Sequence, residues 1–111
     1  MKLTITLAVG ALALSTLAAG AQEAPPSRTG EDIFAQRCVF CHDARGWGTR
    51  SLARRTPPDQ AELLEREVLP EILVRHAVRR GIGSMPQFTP TEISDAELDA
   101  LARWLATRNA D

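Results

Sequence analysis

The chain has 111 residues, with 13 lysines and arginines against 14 acidic residues and a formal net charge of −1. This length suffices for one small domain. The near-neutral charge excludes the basic excess by which nucleic-acid-binding proteins recognise phosphates, so no nucleic-acid partner is predicted.

The first 21 residues differ in composition from the rest of the chain. Lys2 is followed by residues 3–19, a run without charged side chains, and the segment ends in Ala19-Gly20-Ala21. A positive start, a short apolar run and a small-x-small end are typical of a secretory signal peptide. We predict cleavage near Ala21, export to the periplasm and no permanent membrane insertion. The alternative is that the segment is kept as a membrane anchor.

The remaining chain divides into a short leader and one domain. Residues 22–28 contain two prolines and several polar side chains, which is typical of a flexible segment. Residues 29–111 carry all the helical patterns and form the predicted domain. A domain of this size buries little apolar surface for its length, and a bound cofactor would supply the missing core.

The first helical pattern leads directly into the cysteine pair. Thr29 and Asp32 have the spacing of a capping box, in which each residue satisfies a backbone N–H of the other. The helix that begins there is predicted to run into residues 38–42. Residues 43–58 contain two glycines and two prolines without a sustained period, and they are predicted to form a loop.

Two helices are predicted in the middle of the chain. Asp59 and Glu62 have capping-box spacing for a second helix, whose inward residues would be Leu63, Leu64 and Val68. A third helix is predicted over residues 71–80 and ends at Gly81 in the usual left-handed position. Its predicted inward residues are Ile72, Leu73, Val74 and Ala77.

The last helical pattern follows a second loop. Residues 82–93 contain two prolines and are predicted to be irregular. Ser94 and Glu97 form a capping box for a final helix. Its apolar face carries Leu98, Leu101, Trp104 and Leu105. Since no segment has a strand pattern, the predicted fold class is all-α.

Cys38, Cys41 and His42 form the sequence Cys-x-x-Cys-His, which is the attachment signature of a c-type haem. On a helix the two thiols lie about one turn apart, so each can add to one of the two vinyl groups of a haem. His42 is then placed to ligate the iron. We predict one haem c, bound covalently through two thioether bonds, with His42 as an iron ligand.

Three other roles of the cysteine pair fit less well. A disulfide between Cys38 and Cys41 would close a very short loop and contribute little entropy. A thioredoxin-like redox pair is expected beside a strand, and none is predicted. A zinc site needs four ligands. The chain offers only Cys38, Cys41, His42 and His76, at a spacing unlike the common zinc modules.

Met85 is the predicted sixth ligand of the iron. It is the only methionine after the predicted cleavage site and lies in Gly83-Ser84-Met85-Pro86, between two predicted helices. Pro86 restricts the backbone directly after it. A methionine that merely fills a gap in the core is the common alternative. His76 is the other candidate ligand, and a bis-histidine haem would have a lower reduction potential than a histidine–methionine haem.

These residues resemble the small single-haem class I cytochromes c, and the resemblance covers residues 30–106. It rests on features that stand at the family's positions: Gly30 and Phe34 before the cysteines, Cys38-x-x-Cys41-His42, Met85-Pro86 in the loop before the last helix, and Leu101 and Trp104 on that helix. The resemblance implies three to five helices wrapped around one haem, with crossing N- and C-terminal helices.

The resemblance also implies particular contacts. Gly30 would let the two terminal helices approach closely, with Phe34 and Trp104 packed at their crossing. A backbone carbonyl in the loop after the motif, that of Pro57 or Pro58, would accept a hydrogen bond from the ring of the axial histidine.

Basic and aromatic side chains are candidates to meet the two haem propionates, because a guanidinium pairs with a carboxylate through two hydrogen bonds. The candidates are Arg54, Arg55, Arg79, Arg80 and Trp47. For each arginine the alternative is a solvated surface position.

The expected function is one-electron transfer between a donor and an acceptor redox protein, without catalysis by the chain itself. Two further motifs are Arg79-Arg80-Gly81-Ile82-Gly83-Ser84-Met85-Pro86-Gln87-Phe88 and Ser94-Asp95-Ala96-Glu97-Leu98. Through them, residues 69–105 also resemble the cytochrome subunits of periplasmic dehydrogenases, especially flavin enzymes that oxidise phenols. The alternative is therefore an obligate subunit that accepts electrons from a flavin- or quinone-dependent dehydrogenase. A haem enzyme or a gas sensor needs an open sixth site, against which Met85 argues.

Overall fold

The computed structural model describes residues 26–108, so the predicted signal peptide lies outside the described residues. Every regular element in residues 26–108 is helical, which confirms the predicted all-α class. The elements are α1 (Gly30–Ile33), a π-helical turn (Phe34–Cys38), α2 (Val39–His42), α3 (Trp47–Leu52), a 3-10 turn (Pro58–Gln60), α4 (Glu71–Arg80) and α5 (Asp95–Thr107). Among the described residues, no helix combines the length and apolar character needed to cross a membrane.

We call the continuous segment formed by α1, the π-helical turn and α2 the N-terminal helix. It begins at the predicted capping box and changes its hydrogen-bond pattern before the cysteine motif. The Asp32 N–H donates to Thr29 Oγ1, and the Thr29 N–H donates to Asp32 Oδ2, both at 3.1 Å. From Phe34 the backbone forms a π turn, in which the Val39 N–H donates to the Phe34 carbonyl. Because a π turn contains an extra residue, it changes the face that residues 39–42 present.

The N-terminal helix packs against α5 at Gly30. A Cβ atom at Gly30 would lie 2.5 Å from Trp104 Cβ and 2.6 Å from the Ala100 carbonyl oxygen, so the position has no room for a side chain. The rings of Phe34 and Trp104 lie 5.6 Å apart at an angle of 47°, which is a favourable geometry for an aromatic pair. The predicted close approach and aromatic contact are therefore confirmed.

Helices α4 and α5 form where they were predicted, but α4 leaves two of its predicted inward residues exposed, Ile72 and Leu73. α5 starts at the Ser94–Glu97 capping box and buries Leu98, Leu101 and Leu105. α4 buries Val74 and Val78, whereas Ile72 is 73% exposed and its predicted inward position is wrong. Val74 and Val78, four residues apart, share the core face of the helix, and Ile72, two positions before Val74, lies on the opposite side.

The helix predicted from Asp59 does not form. Residues 58–60 make a single 3-10 turn, isolated turns follow it, and Val68 is 69% exposed. The Gln60 carbonyl accepts Nε–H from the Arg66 side chain at 2.9 Å, a contact with a residue six positions further along the chain.

The loop predicted over residues 43–58 contains the short helix α3. A Cβ atom at Gly46 would lie 2.2 Å from the Cys41 carbonyl oxygen, and one at Gly48 would lie 2.8 Å from the same atom. The sequence predicts a loop here partly because of these two glycines. In the structure, their lack of a side chain lets the start of α3 pack closely on the backbone of α2.

Candidate functional site

An apolar cleft of about 230 Å³ lies between the N-terminal helix, α3, α4 and the loop that follows α4. Aliphatic side chains make up most of its wall, among them Leu52, Leu63, Leu69, Leu73, Val74 and Val78. All four predicted haem-binding residues also line it: Cys38, Cys41, His42 and Met85. The fold thus brings together a motif on one helix and a methionine from a distant loop.

The two cysteines are free thiols and are half-buried. Burial, and to a smaller extent the neighbouring Cys41, raises the pKa of Cys38 to about 11. A redox-active cysteine of the thioredoxin kind has a lowered pKa, because the thiolate is its reactive form. The environment of Cys38 therefore disfavours that role. Within residues 26–108, no group of three or more His, Cys, Asp or Glu side chains is placed to hold a metal ion such as zinc.

The His42 ring is packed against α3. A Cβ atom at Gly48 would lie 3.1 Å from Cε1 and 3.3 Å from Nδ1 of His42, so the glycine leaves room for the ring. Burial lowers the pKa of His42, and the positive charge of Arg66 lowers it further. The imidazole is therefore neutral at pH 7, which is the form that binds metals.

The hydrogen bond expected from His42 to a proline carbonyl is not formed. His42 Nδ1 is buried and has no hydrogen-bond partner among the described residues. The Pro57 carbonyl accepts the Gln60 N–H at 2.9 Å, and the Pro58 carbonyl accepts the Ala61 N–H at 3.3 Å. Both proline carbonyls accept backbone N–H groups at the 3-10 turn, and neither is bonded to the histidine.

Met85 is half-buried in a loop that folds back on the end of α4. Gly81 has φ 69° and ψ 161°, a backbone conformation essentially restricted to glycine. A Cβ atom at Gly81 would lie 2.4 Å from the Met85 carbonyl oxygen. The Met85 N–H donates to the Ile82 carbonyl at 3.0 Å, which closes a turn. His76, the other candidate ligand, is exposed and does not line the cleft.

The polar part of the cleft wall contains Trp47, Arg55 and Arg66, and no carboxylate from the described residues lines it. Of the candidates for the propionates, Trp47 and Arg55 are therefore in place. Arg54 and Arg80 are exposed and outside the lining. The sequence did not indicate Arg66, which lines the cleft between Leu63 and Leu69.

Arg79 does not line the cleft either, because its guanidinium is engaged elsewhere. It donates to the Phe88 carbonyl, the Ile93 carbonyl and Asp95.

The chemistry of the cleft fits a haem. The wall is apolar, as a porphyrin ring requires, and two arginines are present for carboxylates. An imidazole and a thioether are the donor set of electron-transfer cytochromes, and two free thiols lie in the same wall.

An all-helical fold around such a cleft, with Cys-x-x-Cys-His on the N-terminal helix, defines a cytochrome of the c type. The family model described as cytochrome C oxidase, cbb3-type, subunit III matches residues 25–105, and the chain belongs to this family of c-type cytochromes. It is therefore an electron-transfer protein whose cofactor is haem c with its iron. Neither the curated proteins nor the solved structures give a match.

Proposed function

We propose that this cytochrome is a one-electron carrier of the periplasm. It binds one haem covalently through Cys38 and Cys41, with His42 and Met85 as the axial ligands of the iron. The observation that carries the proposal is the presence of these four side chains in the wall of one apolar cleft, although Met85 comes from a separate loop.

The bound haem supplies the one-electron couple, and the side chains of the cleft set its properties. His42 is neutral at pH 7, and its Nδ1 is buried beside α3, which leaves Nε2 available for the iron. A thioether as second ligand favours a higher reduction potential than a second imidazole. With both axial positions taken, the site has no position at which a substrate or gas binds.

Two arginines complete the site. Arg55 and Arg66 lie in the wall of the cleft, and we assign the two propionates to them, with Trp47 beside them. Arg66 is oriented by two donors to the Gln60 carbonyl, from Nε and Nη2. A guanidinium held in this way pairs with a carboxylate at a smaller loss of side-chain entropy.

The location and the partners belong to the same proposal. Residues 1–21 direct export and are removed near Ala21, residues 22–28 form a leader, and residues 29–111 form the cytochrome domain. The carrier exchanges electrons with a donor and an acceptor redox protein. In the alternative, the chain is an obligate subunit of a periplasmic flavin- or quinone-dependent dehydrogenase, and it would co-purify with that enzyme in a fixed ratio.

The test is to express the full chain in a host that matures c-type haem and to purify the exported protein. Denaturing electrophoresis with haem staining should show covalent haem, and intact mass should give one haem per chain and loss of the first 21 residues. A reductive titration should consume one electron per chain. Double substitution of Cys38 and Cys41 by alanine should abolish covalent haem. Covalent haem in that variant, or a titration of two electrons, would contradict the proposal.

A further inference from the structure

The loop that carries Met85 is held by the last turn of α4. The Phe88 N–H donates to the Val78 carbonyl at 2.7 Å. The Phe88 carbonyl accepts Nη1–H from Arg79 at 3.2 Å. Phe88 follows Met85 by three residues, so these two bonds fix the position at which the chain leaves the methionine.

Arg79 also ties the end of the same loop to α5. Its Nη2 donates to the Ile93 carbonyl at 2.9 Å and to Asp95 Oδ1 at 2.6 Å. Only 22% of the Arg79 side chain is exposed, whereas the Asp95 side chain is 71% exposed. Exposed ion pairs contribute little to stability, while hydrogen bonds from a charged donor to backbone carbonyls in half-buried positions contribute more. The two carbonyls are therefore the important partners.

We propose that Arg79 is a positioning residue that holds Met85 in place as an iron ligand and so determines how easily the methionine is displaced. This inference rests on the proposed function, because it takes Met85 to be the sixth ligand. The arginine does not touch the haem cleft and acts through the Phe88 and Ile93 carbonyls of the loop. Without these bonds, the loop samples positions in which the thioether is away from the iron.

The neighbouring residue provides a matched control. Arg80 has the same side chain on the same helical turn, but it is exposed and makes no ion pair within residues 26–108. Substitution of Arg80 removes the same charge without changing the loop. Asp95→Asn removes the exposed ion pair and leaves the two carbonyl bonds of Arg79.

The experiment adds imidazole to the ferric, haem-loaded protein and follows the loss of the sulfur–iron absorption band. Arg79→Gln should bind imidazole about tenfold more tightly than the unchanged protein, since the competing methionine is held less firmly. Arg80→Gln and Asp95→Asn should stay within about twofold of it. Equal imidazole affinity of Arg79→Gln and Arg80→Gln would overturn the proposal, and so would an Asp95→Asn variant that behaves like Arg79→Gln.

The same substitution in a protein that lacks Met85 shows whether Arg79 acts on the methionine or on the stability of the whole fold. In Met85→Ala protein, Arg79→Gln should change imidazole affinity by less than about twofold, because there is no methionine left to hold. A tenfold change in that background would show a general loosening of the fold and overturn the positioning role. If the unchanged protein lacks the sulfur–iron band and binds imidazole as Met85→Ala does, the ligand assignment itself fails.

Discussion

Gly30 determines how closely the N-terminal helix approaches α5. It is one of several glycines at which a side chain would clash with a neighbouring element. At Gly30 the neighbours are Trp104 and Ala100, and at Gly48 they are the Cys41 carbonyl and the ring of His42. The first glycine lets the N-terminal helix contact α5, and the second leaves room for the ring of His42.

Gly30→Ala tests the first contact. A Cβ atom at 2.5 Å from Trp104 Cβ forces the helices apart and disturbs the Phe34–Trp104 pair. We expect a loss of about 1–3 kcal/mol in the free energy of unfolding, measured by urea denaturation of the haem-loaded protein. Glu31→Ala, at the exposed next position, should change it by less than about 0.5 kcal/mol. Similar values for the two variants would contradict the close approach.

At the scale of elements, the loop of residues 82–93 is the part of the fold on which Met85 depends. Gly81, directly before the loop, and Gly83, within it, have positive φ, 69° and 60°. A side chain at Gly81 would meet the Met85 carbonyl, whereas one at Gly83 would meet only Arg55 Nη1, at 3.7 Å. The two positions therefore share backbone strain and differ in the contact with Met85.

Gly81→Ala and Gly83→Ala separate these effects. Both variants should lose about 1–3 kcal/mol of stability from the positive φ. Gly81→Ala should in addition weaken the sulfur–iron absorption band of the ferric protein, because its methyl group displaces the Met85 backbone. Gly83→Ala should keep the band. If the band is lost equally in both, strain alone accounts for the effect and the contact at Gly81 is unimportant.

The elements differ in how well the sequence predicts them. Elements set by neighbouring residues are predicted, whereas those that depend on contacts between more distant residues are not. The boundaries of α4 and α5 are set by local signals, Gly81 at one end and the Ser94–Glu97 capping box at the other. α3 and the turns after residue 60 depend on contacts that spacing does not reveal. These are the close contact of α3 with the Cys41 carbonyl and the hydrogen bond from the Arg66 side chain to the Gln60 carbonyl.

The same division holds for the candidate site. Cys38, Cys41 and His42 were predicted from a local motif, and Met85 from its isolation in a loop. The roles of the arginines could not be separated by sequence. Arg79 was a candidate for the propionates, but its guanidinium bonds the Phe88 carbonyl of the loop, whereas Arg66 lines the cleft.

At the scale of the whole molecule, one carboxylate connects the two ends of the described chain. Glu97 is 5% exposed and accepts Nε–H of Arg28 at 2.8 Å, the Ser27 hydroxyl at 2.7 Å and the Ser94 N–H at 3.0 Å. Ser27 and Arg28 belong to the predicted leader, so at least its last residues contact the domain. Arg28, followed by Ser27 and Ser94, holds the pKa of Glu97 well below its usual range.

The lowered pKa predicts a dependence of stability on pH. The carboxylate contributes stability above the pKa of an unfolded glutamate, about 4.3, and this contribution is lost as the pH falls through the lower folded value. Glu97→Gln should therefore lose about 1–3 kcal/mol at pH 7 and show a flatter stability profile below about pH 4.3. Urea denaturation across this range measures it, with Glu31→Gln as the exposed control. Parallel acid profiles for Glu97→Gln and the unchanged protein would contradict the role of Glu97.

In the proposed function, one haem has both axial positions filled, by His42 and Met85, so that the molecule carries electrons and binds no substrate at its iron. The measurement that tests this most directly is the addition of carbon monoxide to the reduced haem protein. The visible spectrum of the unchanged protein should not respond, while Met85→Ala should bind carbon monoxide. If the unchanged protein binds it as readily as Met85→Ala, the sixth position is open, and a haem enzyme or a gas sensor becomes the better account.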